Sequence, residues 1–341
     1  MRALVTGGCG FFGDLLAGRL REAGHEVRVL DLRPPEPPRA EVEYRRGDVR
    51  DPAAAAAACA GMDWVFHNAA QVPLAKDRAL FWSVNRDGTG TLLRAAASAQ
   101  ARKVVYLSSS AVYGRPASNP VTEATAPDPL EDYGRAKLAA EKLCLEHAAR
   151  DLDITIVRPR TILGPGRLGL FQILFEWVFQ GHAIPVLGRG DNRFQFVHAR
   201  DLAEACLLAA ARPGASAYNC GAERFGTMRE ALEELCRHSG TGSAVKSLPK
   251  APFTALMRLA SVLGLCPLGP YHVMYGEELF FDISKASREL GWKPRYSNFE
   301  MLLESYAWYA ANRDRVLSSS GSSAHRSAAP QGALALLQRL L

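Results

Sequence analysis

The first thirteen residues decide the fold. A short apolar run, Met1-Arg-Ala-Leu-Val-Thr6, leads into the glycine-rich turn Gly7-Gly-Cys-Gly-Phe-Phe-Gly13, and a helical pattern follows from Asp14 to Ala23. The apolar run predicts a buried strand. Glycines let the backbone turn tightly and approach a ligand, and the N–H groups at a helix start attract an anion. A strand, a glycine turn and a helix in this order therefore predict a pyrophosphate site. The residues expected to line it are Gly7, Gly10, Phe11, Phe12 and Gly13.

A second strand supplies an acid that fits the ribose of the same ligand. The apolar run His25 to Leu30 ends at Asp31, roughly 20 residues past the glycines, where a carboxylate can accept hydrogen bonds from the adenosine ribose hydroxyls. That carboxylate repels a ribose phosphate, which favours NAD over NADP as the cofactor. Arg33, which follows closely in the sequence, keeps NADP open as the alternative.

The length and charge of the chain limit the number of domains and the classes of partner. The chain has 341 residues, 48% of them hydrophobic, and a net charge of +6, which suits one large domain or a large and a small one. Its basic residues are scattered, without Lys/Arg runs or interleaved aromatics, so the composition argues against a nucleic-acid partner. An anionic cofactor or substrate explains the modest positive excess equally well.

The cysteines indicate a reducing, cytoplasmic location. There are 7 of them, far apart, and no C-x-x-C occurs, which fits free thiols and predicts neither a disulfide framework nor a metal site. The chain enters a strand at once, so we expect no signal peptide. The most apolar stretch, Ala251 to Pro267, is too short to span a bilayer and carries Arg258, so we expect no membrane span.

Strand and helix patterns alternate through the first half of the chain. Further strands are predicted at Val42–Arg46, Trp64–His67, Lys103–Leu107 and Ile154–Val157, and helices at Ala53–Ala60, Phe81–Ala99 and Tyr133–Arg150. Such alternation predicts an α/β fold with a parallel sheet covered by helices on both faces. Ligands then sit beyond the carboxyl ends of the strands.

The second half is less regular. A strand is predicted at Phe194–Val197, and Asp201 is expected to cap a helix from Leu202 to Ala211. Other helices are predicted at Leu170–Val178, Met228–His238, Ser284–Leu290 and Phe299–Asn312. A Ser- and Ala-rich linker from Ser318 to Gln331 leads to an apolar end, and we expect this tail to be disordered.

Tyr133-Gly-Arg-Ala-Lys137 places a phenol and an ammonium group on one helix face, because residues four apart are neighbours on a helix. A free tyrosine has a pKa of about 10, too high for a base at neutral pH. A nearby ammonium, helped by a positive nicotinamide ring, lowers that pKa. Tyr133 can then deprotonate a substrate hydroxyl while hydride leaves the same carbon, and Lys137 can hold the nicotinamide ribose. Ordinary surface helix pairs share this spacing.

Ser109 is the third candidate catalytic residue. It follows the predicted strand Lys103–Leu107, where a hydroxyl can orient the reacting oxygen by a hydrogen bond. Ser108 and Ser110 flank it, so the choice among the three serines depends on register. A serine turn that merely closes a strand is the simpler alternative.

These residues belong to a longer series that covers residues 1 to about 312. In order they are Thr6–Gly13, Asp31, Gly47–Val49, His67–Ala70, Asn85–Thr89, Ser108–Gly114, Tyr133–Lys137, Arg158-Pro159, Gly164–Gly166, Phe196–Leu202, Asp282–Ala286 and Leu290–Trp292. The series resembles the extended short-chain dehydrogenase/reductase family, the NAD-dependent epimerase/dehydratases.

The resemblance implies a Rossmann-type doubly wound sheet with a smaller C-terminal α/β substrate domain. Residues 1–160, with parts of 190–225 returning, would form the NAD-binding domain, 161–312 mainly the substrate domain, and 313–341 the tail. By resemblance, cofactor contacts would come from Asp48, Val49, Ala69, Ala70, Asn85 and Pro159, besides Tyr133 and Lys137. Substrate contacts would come from Ser109, Tyr133, Thr161 and Arg193. The family often forms homodimers through two long helices, here Phe81–Ala99 and Tyr133–Arg150.

Three departures from the family pattern bear on the substrate. Ser109-Ser-Ala111 replaces the Thr-Asp-Glu of sugar 4,6-dehydratases, which disfavours water elimination. The stretch from His67 to Asn85 is short and lacks the Ser and Pro punctuation of nucleotide-sugar enzymes. His272 stands near where those enzymes offer an arginine to the pyrophosphate. The guanidinium of Arg193, one residue out of the usual register, is the alternative for that role.

Two enzymatic functions remain, and a non-catalytic NAD-binding protein is disfavoured by the presence of all three of Ser109, Tyr133 and Lys137. The first is a nucleotide-sugar 4-epimerase. The second is a 3β-hydroxysteroid-dehydrogenase-like enzyme, or another net dehydrogenase/reductase, for an apolar hydroxy or keto substrate. The apolar stretches Leu168–Val178 and Ala251–Gly264 either line a pocket for such a substrate or belong to the core.

Overall fold

The computed structural model describes residues 1–35, 38–72, 78–150, 152–255 and 276–318. His272, most of the apolar stretch after Ala251 and the tail beyond Ser318 lie outside these residues, as does part of the short His67–Asn85 stretch. The chain divides into two compact units. The first comprises Met1–Thr161, Ala199–Gly221 and Phe281–Pro294, and the second comprises Ile162–His198, Ala222–Phe280 and Arg295–Leu341.

The strands in the described residues are numbered in chain order. They are β1 (Arg2–Thr6), β2 (Glu26–Asp31), β3 (Val42–Arg46), β4 (Trp64–His67), β5 (Lys103–Leu107), β6 (Ile154–Pro159), β7 (Thr161–Leu163), β8 (Ile184–Leu187), β9 (Phe196–His198), β10 (Ser216–Cys220) and β11 (Val245–Leu248).

The helices are numbered in the same way. They are α1 (Phe11–Glu22), α2 (Pro52–Cys59), α3 (Arg78–Trp82), α4 (Thr89–Ser98), α5 (Asp132–Ala148), α6 (Leu170–Phe179), α7 (Ala199–Ala211), α8 (Met228–Ser239), α9 (Ser284–Leu290) and α10 (Asn298–Ser318). A π-helical turn, Ser83–Gly88, joins α3 to α4, and a 3₁₀ turn, Ser110–Tyr113, follows β5.

The first unit is built on one parallel sheet with the strand order β10-β6-β5-β4-β1-β2-β3. The chain runs outward from β1 to β3, returns to β4 beside β1, and continues in the other direction. Thr6 at the end of β1 therefore pairs with His67 at the end of β4. The order of strands reverses between these two, and that is where doubly wound sheets bind ligands. The predicted fold class is confirmed.

Successive side chains of each strand point to opposite faces of the sheet, and helices cover both faces. On one face Leu4, Val65 and Val104 pack with apolar residues of α2, α4 and α5. On the other face α7 packs against β5 and β6 and against α1. The seventh strand, β10, was not predicted, since its sequence Ser-Ala-Tyr-Asn-Cys carries little apolar pattern.

The second unit has an aromatic core formed by α6, α8 and α10. Phe175 and Trp177 of α6 are buried in it, and Phe175 packs against Tyr306 and Tyr309 of α10. The stretch Leu168–Val178 thus belongs largely to the core. The sequence had left open whether it lines a substrate pocket or packs in the core. Two short strand pairs, β8 with β11 and β7 with β9, complete the regular structure.

Several predicted boundaries are corrected by the structure. Helix α7 begins at Ala199, so Asp201 is a buried first-turn residue rather than a cap, and its carbonyl accepts a hydrogen bond from Trp292. The strand predicted at Phe194–Val197 is Phe196–His198. The predicted single helix Phe81–Ala99 is interrupted by the π turn.

The last helix is longer than the predicted Phe299–Asn312, since α10 continues to Ser318. Arg313 explains this, because its guanidinium donates two hydrogen bonds, of 2.9 and 2.7 Å, to the Glu176 carboxylate of α6. Residues 313–318 therefore belong to α10 and not to the tail, which was predicted to start at residue 313. Among the described residues, no helix is both long enough and apolar enough to cross a bilayer.

Candidate active site

The glycine turn after β1 is shaped by close backbone packing. Gly7 has a positive φ of 66°, and a Cβ there would lie 2.8 Å from the Cα of Ala69. A Cβ on Gly13 would lie 2.2 Å from the carbonyl oxygen of Gly7. Real side chains do not reach such distances, so the turn and the start of α1 require glycine at both positions.

Gly10 is packed less tightly than Gly7 and Gly13. A Cβ there would approach only the Gly7 carbonyl oxygen, at 3.3 Å. Gly10 is the N-cap residue of α1, and no side chain caps this helix. A helix start without a capping side chain, at the end of a central strand and next to a glycine turn, has the donor set and the space that a pyrophosphate needs. The first thirteen residues therefore fit a dinucleotide.

Asp31 is fixed beside this turn. Its carboxylate accepts hydrogen bonds from the backbone N–H of Cys9, at 3.0 Å, and of Arg33, at 3.2 Å. Asp48 ends the neighbouring segment, and its hydrogen bonds to Arg50 lower its pKa. Val49 is buried against Gly88, where a Cβ would lie 2.9 Å from it. All of these predicted adenosine-side residues lie in the first unit.

Asn85 acts on the loop after β4 through its buried amide. Its Oδ1 accepts from the N–H of Gln71 at 2.9 Å, and its Nδ2 donates to the carbonyl of Gln71 at 3.0 Å. The π turn that carries Asn85 makes this reach possible, and such turns often mark functional sites. Ala69 and Ala70 lie half-buried on the same loop. Asn85 therefore holds the loop after β4 in place.

His67 begins the His67–Ala70 motif, and no role was predicted for its side chain. Its Nδ1 lies 2.8 Å from the Thr6 hydroxyl and its Nε2 lies 2.9 Å from that of Thr89. Burial lowers the pKa of His67 to about 3, helped by the charge of Lys137. His67 is thus neutral at physiological pH and ties β1, β4 and α4 together.

Lys137 is buried, with 2% of its surface exposed. Its Nζ donates to the carbonyl oxygen of Leu107 at 2.9 Å and lies 4.9 Å from the ring centroid of Tyr106. Burial lowers the pKa of Lys137 to about 8. The ammonium is therefore held at the end of β5 by a carbonyl and an aromatic face.

Tyr133 lies one helical turn before Lys137 and is only partly buried. Glu131 caps α5 by accepting from the N–H groups of Tyr133 and Gly134, each at 3.0 Å. A Cβ on Gly134 would lie 2.5 Å from the carbonyl oxygen of Ala111. Gly134 thus lets the start of α5 approach the serine turn, which brings the predicted tyrosine and serine segments together.

The three serines after β5 have different partners. Ser108 is buried and donates to Glu141 at 2.5 Å, while Ser110 is buried and accepts from Arg160 at 3.0 Å. Ser109 is half-buried, and its hydroxyl oxygen accepts from the N–H of Ala111 at 3.1 Å. Within the described residues that is its one hydrogen bond, so its O–H remains able to donate to a substrate. The structure thus favours Ser109 among the three.

The remaining predicted residues divide between the units. Pro159 ends β6 and Thr161 follows it at the boundary of the first unit. Arg193 belongs to the second unit. Its guanidinium carbon lies 4.1 Å from the ring centroid of Phe280 and 5.0 Å from that of Phe225. These two aromatic partners, 87 and 32 residues away in the numbering, could not be inferred from sequence.

A parallel sheet of Rossmann order, a glycine turn that fits a dinucleotide and a Tyr–Lys helix beside it define an NAD-dependent enzyme of the short-chain dehydrogenase/reductase type. The comparisons narrow this class. Residues 3–221 match the model of the NAD dependent epimerase/dehydratase family, and the chain belongs to that family, whose members form the extended branch of the short-chain dehydrogenases/reductases.

Two sequence relatives extend over nearly the whole chain. The uncharacterized protein y4nG of Sinorhizobium fredii is 54% identical over 337 residues, which are 98% of this chain and 85% of that protein. A 3 beta-hydroxysteroid dehydrogenase/Delta 5-->4-isomerase of Mycobacterium tuberculosis is 31% identical over 340 residues, 91% of this chain and 90% of that one.

A solved structure, MoeE5 in complex with UDP-glucose and NAD, matches 92% of this chain and all of its own, with a TM-score of 0.75 and 26% identity. The family and this neighbour agree with Asp31 and the glycine turn on the cofactor, which is NAD. The molecules named for the Mycobacterium tuberculosis protein and MoeE5 differ: the name of the first gives a 3 beta-hydroxysteroid, and the second was solved with UDP-glucose.

Proposed function

We propose that this enzyme transfers hydride between NAD and a secondary alcohol carbon, with Ser109, Tyr133 and Lys137 as catalytic residues. The observation that carries the proposal is the buried ammonium of Lys137, on the helix face of Tyr133 and in contact with the ring of Tyr106. Burying an ammonium group is costly, and such groups cluster at sites that use the charge.

In the proposed reaction each of the three residues has a separate role. NAD, when bound, accepts or returns the hydride. The Ser109 hydroxyl donates a hydrogen bond to the substrate oxygen and orients it. Tyr133 takes the proton of the substrate hydroxyl as the alcohol becomes a ketone, and returns it on reduction. The positive charge of Lys137, one helical turn away, favours the Tyr133 phenolate over the neutral phenol.

For the substrate we propose a nucleotide sugar and for the reaction 4-epimerisation. The similarity to MoeE5, solved with UDP-glucose and NAD, supports the substrate class. Arg193 supports it as well, because its guanidinium is exposed on two aromatic rings, and planar N–H donors of this kind bind phosphate oxygens. The Ser109-Ser-Ala111 sequence supports epimerisation over dehydration. After oxidation the ketone presents its other face, and reduction there inverts the carbon.

The second candidate is net oxidation of a 3β-hydroxysteroid or a similar apolar alcohol. One observation favours it, namely the relative from Mycobacterium tuberculosis with 31% identity over nine tenths of both chains. Such a reaction would release NADH, whereas an epimerase uses the same NAD again in each cycle.

One pair of assays separates the candidates. The NAD-loaded enzyme is incubated with UDP-glucose or UDP-galactose, and interconversion is followed by proton NMR. In parallel it is given a 3β-hydroxysteroid and excess NAD, and NADH absorbance is recorded. We expect interconversion without NADH accumulation. Steady NADH formation with the steroid alone would replace the epimerase by the dehydrogenase.

We also propose that the enzyme is a homodimer that pairs through α3–α4 and α5. Trp82 and Leu145 on these helices are large apolar side chains with 38% and 60% of their surface exposed, which is typical of interface residues. Sedimentation should give twice the chain mass, and Leu145→Glu should shift the enzyme towards the monomer. A wild-type monomer would contradict this.

A further inference from the structure

A chain of buried polar side chains runs beneath the proposed catalytic residues. Ser108 donates to Glu141 at 2.5 Å, and Arg158 donates to both Glu141 oxygens at 2.9 and 2.6 Å. Arg158 also donates to the Tyr113 hydroxyl at 2.6 Å, which in turn donates to Asn219 at 2.9 Å. These residues come from α5, from β6 and β10, and from the segment after β5, so the network ties their ends together.

Glu141 occupies a special place in this network. It is 2% exposed and lies one helical turn after Lys137 on α5, so the two side chains are neighbours on one face. It also bonds the residue directly before Ser109. A buried ion pair such as Glu141–Arg158 often adds little net stability over an apolar pair. Its presence beside the site therefore calls for a role besides stability.

We propose that Glu141 is a positioning residue, which fixes Ser109 through Ser108 and presents its negative charge to the ammonium of Lys137. This inference rests on the proposed Ser109–Tyr133–Lys137 function. Glu141 would not touch substrate or cofactor, because Ser108 and Arg158 occupy its two oxygens.

The surroundings of Lys137 show why this charge matters. Besides Glu141, the ammonium is faced by Cys144 from α5, Tyr106 from β5 and His67 from β4. Burial raises the pKa of the Cys144 thiol and lowers that of His67 to about 3, so both are neutral at physiological pH. Burial also lowers the pKa of Lys137 to about 8, and Glu141 opposes this shift. Removing the carboxylate should therefore lower the pKa of Lys137 further.

The first test measures Lys137 directly, without substrate. The chain has 8 lysines, so the protein is labelled with ¹³Cε-lysine and titrated by NMR, and Lys137→Arg identifies the signal. Glu141→Gln should lower the titration midpoint of Lys137 by about one pH unit. Glu141→Asp, which keeps the charge, should restore most of the shift.

A matched control is available at the other end of the same strand. Lys103 at the start of β5 is buried and lies 2.6 Å from Asp153. Asp153→Asn also removes an ion pair from the first unit, far along β5 from Ser109. It should lower stability yet leave the titration of Lys137 in place. An equal shift in Asp153→Asn and Glu141→Gln, or no shift in either, would overturn the proposal.

The second test uses turnover of the probe substrate identified above, either a UDP-sugar or a 3β-hydroxysteroid. In Glu141→Gln we expect kcat to fall about tenfold, NAD affinity to stay unchanged, and the alkaline limb of the pH profile to move to lower pH. Unchanged kcat and an unmoved limb would contradict the positioning role. If neither probe is turned over while Lys137 still shifts, the proposed function fails and the effect of Glu141 on Lys137 stands.

Should Glu141→Gln fail to fold, Ser108→Ala keeps the proposal testable. It removes the hydroxyl that links Glu141 to the serine turn and leaves the Glu141–Arg158 pair intact. We expect kcat to fall severalfold with NAD affinity and the Lys137 titration unchanged. Wild-type kcat in Ser108→Ala would show that Ser109 is positioned without Glu141.

Discussion

The two units of the chain are specified in different ways. In the first unit the proposed site depends on backbone approach and short-range order: Gly7 and Gly13 leave no space for a side chain, and Tyr133 and Lys137 share one helix. In the second unit the candidate substrate residue, Arg193, depends on rings contributed by distant segments. The glycine turn and the Tyr–Lys pair therefore lie in contiguous sequence, whereas the surroundings of Arg193 come from segments that only the folded chain brings together.

The largest expected effect tests whether the chemistry belongs to the first unit. Tyr133→Phe removes the proposed proton acceptor and should lower kcat by about 10³-fold, within the range for loss of a general base. NAD affinity should change little, since the ring remains. The measurement is steady-state turnover with the better of the two probe substrates, together with NAD titration by fluorescence.

The matched control is Tyr306→Phe in the second unit, a buried tyrosine of the α10 helix. It loses the same hydroxyl and should retain kcat within a factor of about two, the level of most neutral substitutions. If Tyr133→Phe behaved like Tyr306→Phe, the chain would bind NAD without using this tyrosine.

Much of the first unit could be predicted, for a physical reason. Parallel strands covered on both faces are rich in apolar residues, which helped to predict the inner strands. The edge strand β3, Val42-Glu-Tyr-Arg-Arg46, was also predicted although it is largely exposed, so six of the seven strands were found. The seventh strand, β10, was not predicted because one of its buried residues, Asn219, is polar. The side chain of Asn219 accepts a hydrogen bond from Tyr113, and its N–H donates to Glu123 at 2.8 Å. A polar residue becomes strand core only through such partners, which no local pattern reveals.

The candidate site also contains residues whose partners lie too far along the chain to be predicted from local sequence. The glycine turn, Asp31 and the Tyr–Lys pair were predicted from spacing alone. The choice of Ser109 needed Glu141 and Arg160, which lie far along the chain from Ser108 and Ser110. Glu141 itself had a usable signal that was not used, since it stands one helical turn beyond Lys137. Arg193 was proposed from the family resemblance, but its two aromatic partners could be identified only from the fold.

A pair of glycines sharpens the distinction between folding and cofactor binding within the first unit. Gly13→Ala places a methyl group 2.2 Å from the Gly7 carbonyl and should destabilise the fold by about 2 kcal/mol or more. Gly10→Ala places a methyl group 3.3 Å from the same carbonyl oxygen, a tight contact but a much milder one, so stability should fall far less than in Gly13→Ala. If the methyl group enters the pyrophosphate space, it should weaken NAD binding about tenfold or more.

Urea denaturation and NAD titration of both variants provide the check. Gly18→Ala is the control for adding a methyl group to the same helix, because a Cβ there would meet only the flexible end of the Arg39 side chain, at 3.1 Å. Tight NAD binding by Gly10→Ala would mean that the pyrophosphate lies elsewhere.

The buried imidazole of His67 makes the stability of the first unit depend on pH. Its pKa is about 3 in the folded protein, against 6.5 ordinarily, so between these values the unfolded chain binds the extra proton. Stability must then fall as pH decreases below 6.5, by up to about 1.4 kcal/mol per pH unit, or about 2 kcal/mol at pH 5. His67→Gln should remove this share of the slope.

The comparison is made by urea denaturation between pH 7 and pH 5. His238→Gln is the control, since His238 is exposed on α8 of the second unit, with 42% of its side chain accessible, and its loss should leave the wild-type slope. An unchanged slope in His67→Gln would show that His67 is not held neutral between Thr6 and Thr89.

The smallest expected effect is the one that bears on the substrate, and it lies in the second unit. If the substrate is a nucleotide sugar, Arg193→Gln removes a charge-assisted bond to phosphate and should raise KM for the UDP-sugar about tenfold, with kcat nearly unchanged. An apolar hydroxysteroid has no phosphate, so its KM should stay the same. Arg189→Gln is the control, because Arg189 is in the same unit and its side chain is 90% exposed. Equal KM values for the UDP-sugar in all three proteins would remove Arg193 from the site, and the substrate would then have to be recognised by contacts that do not involve this guanidinium.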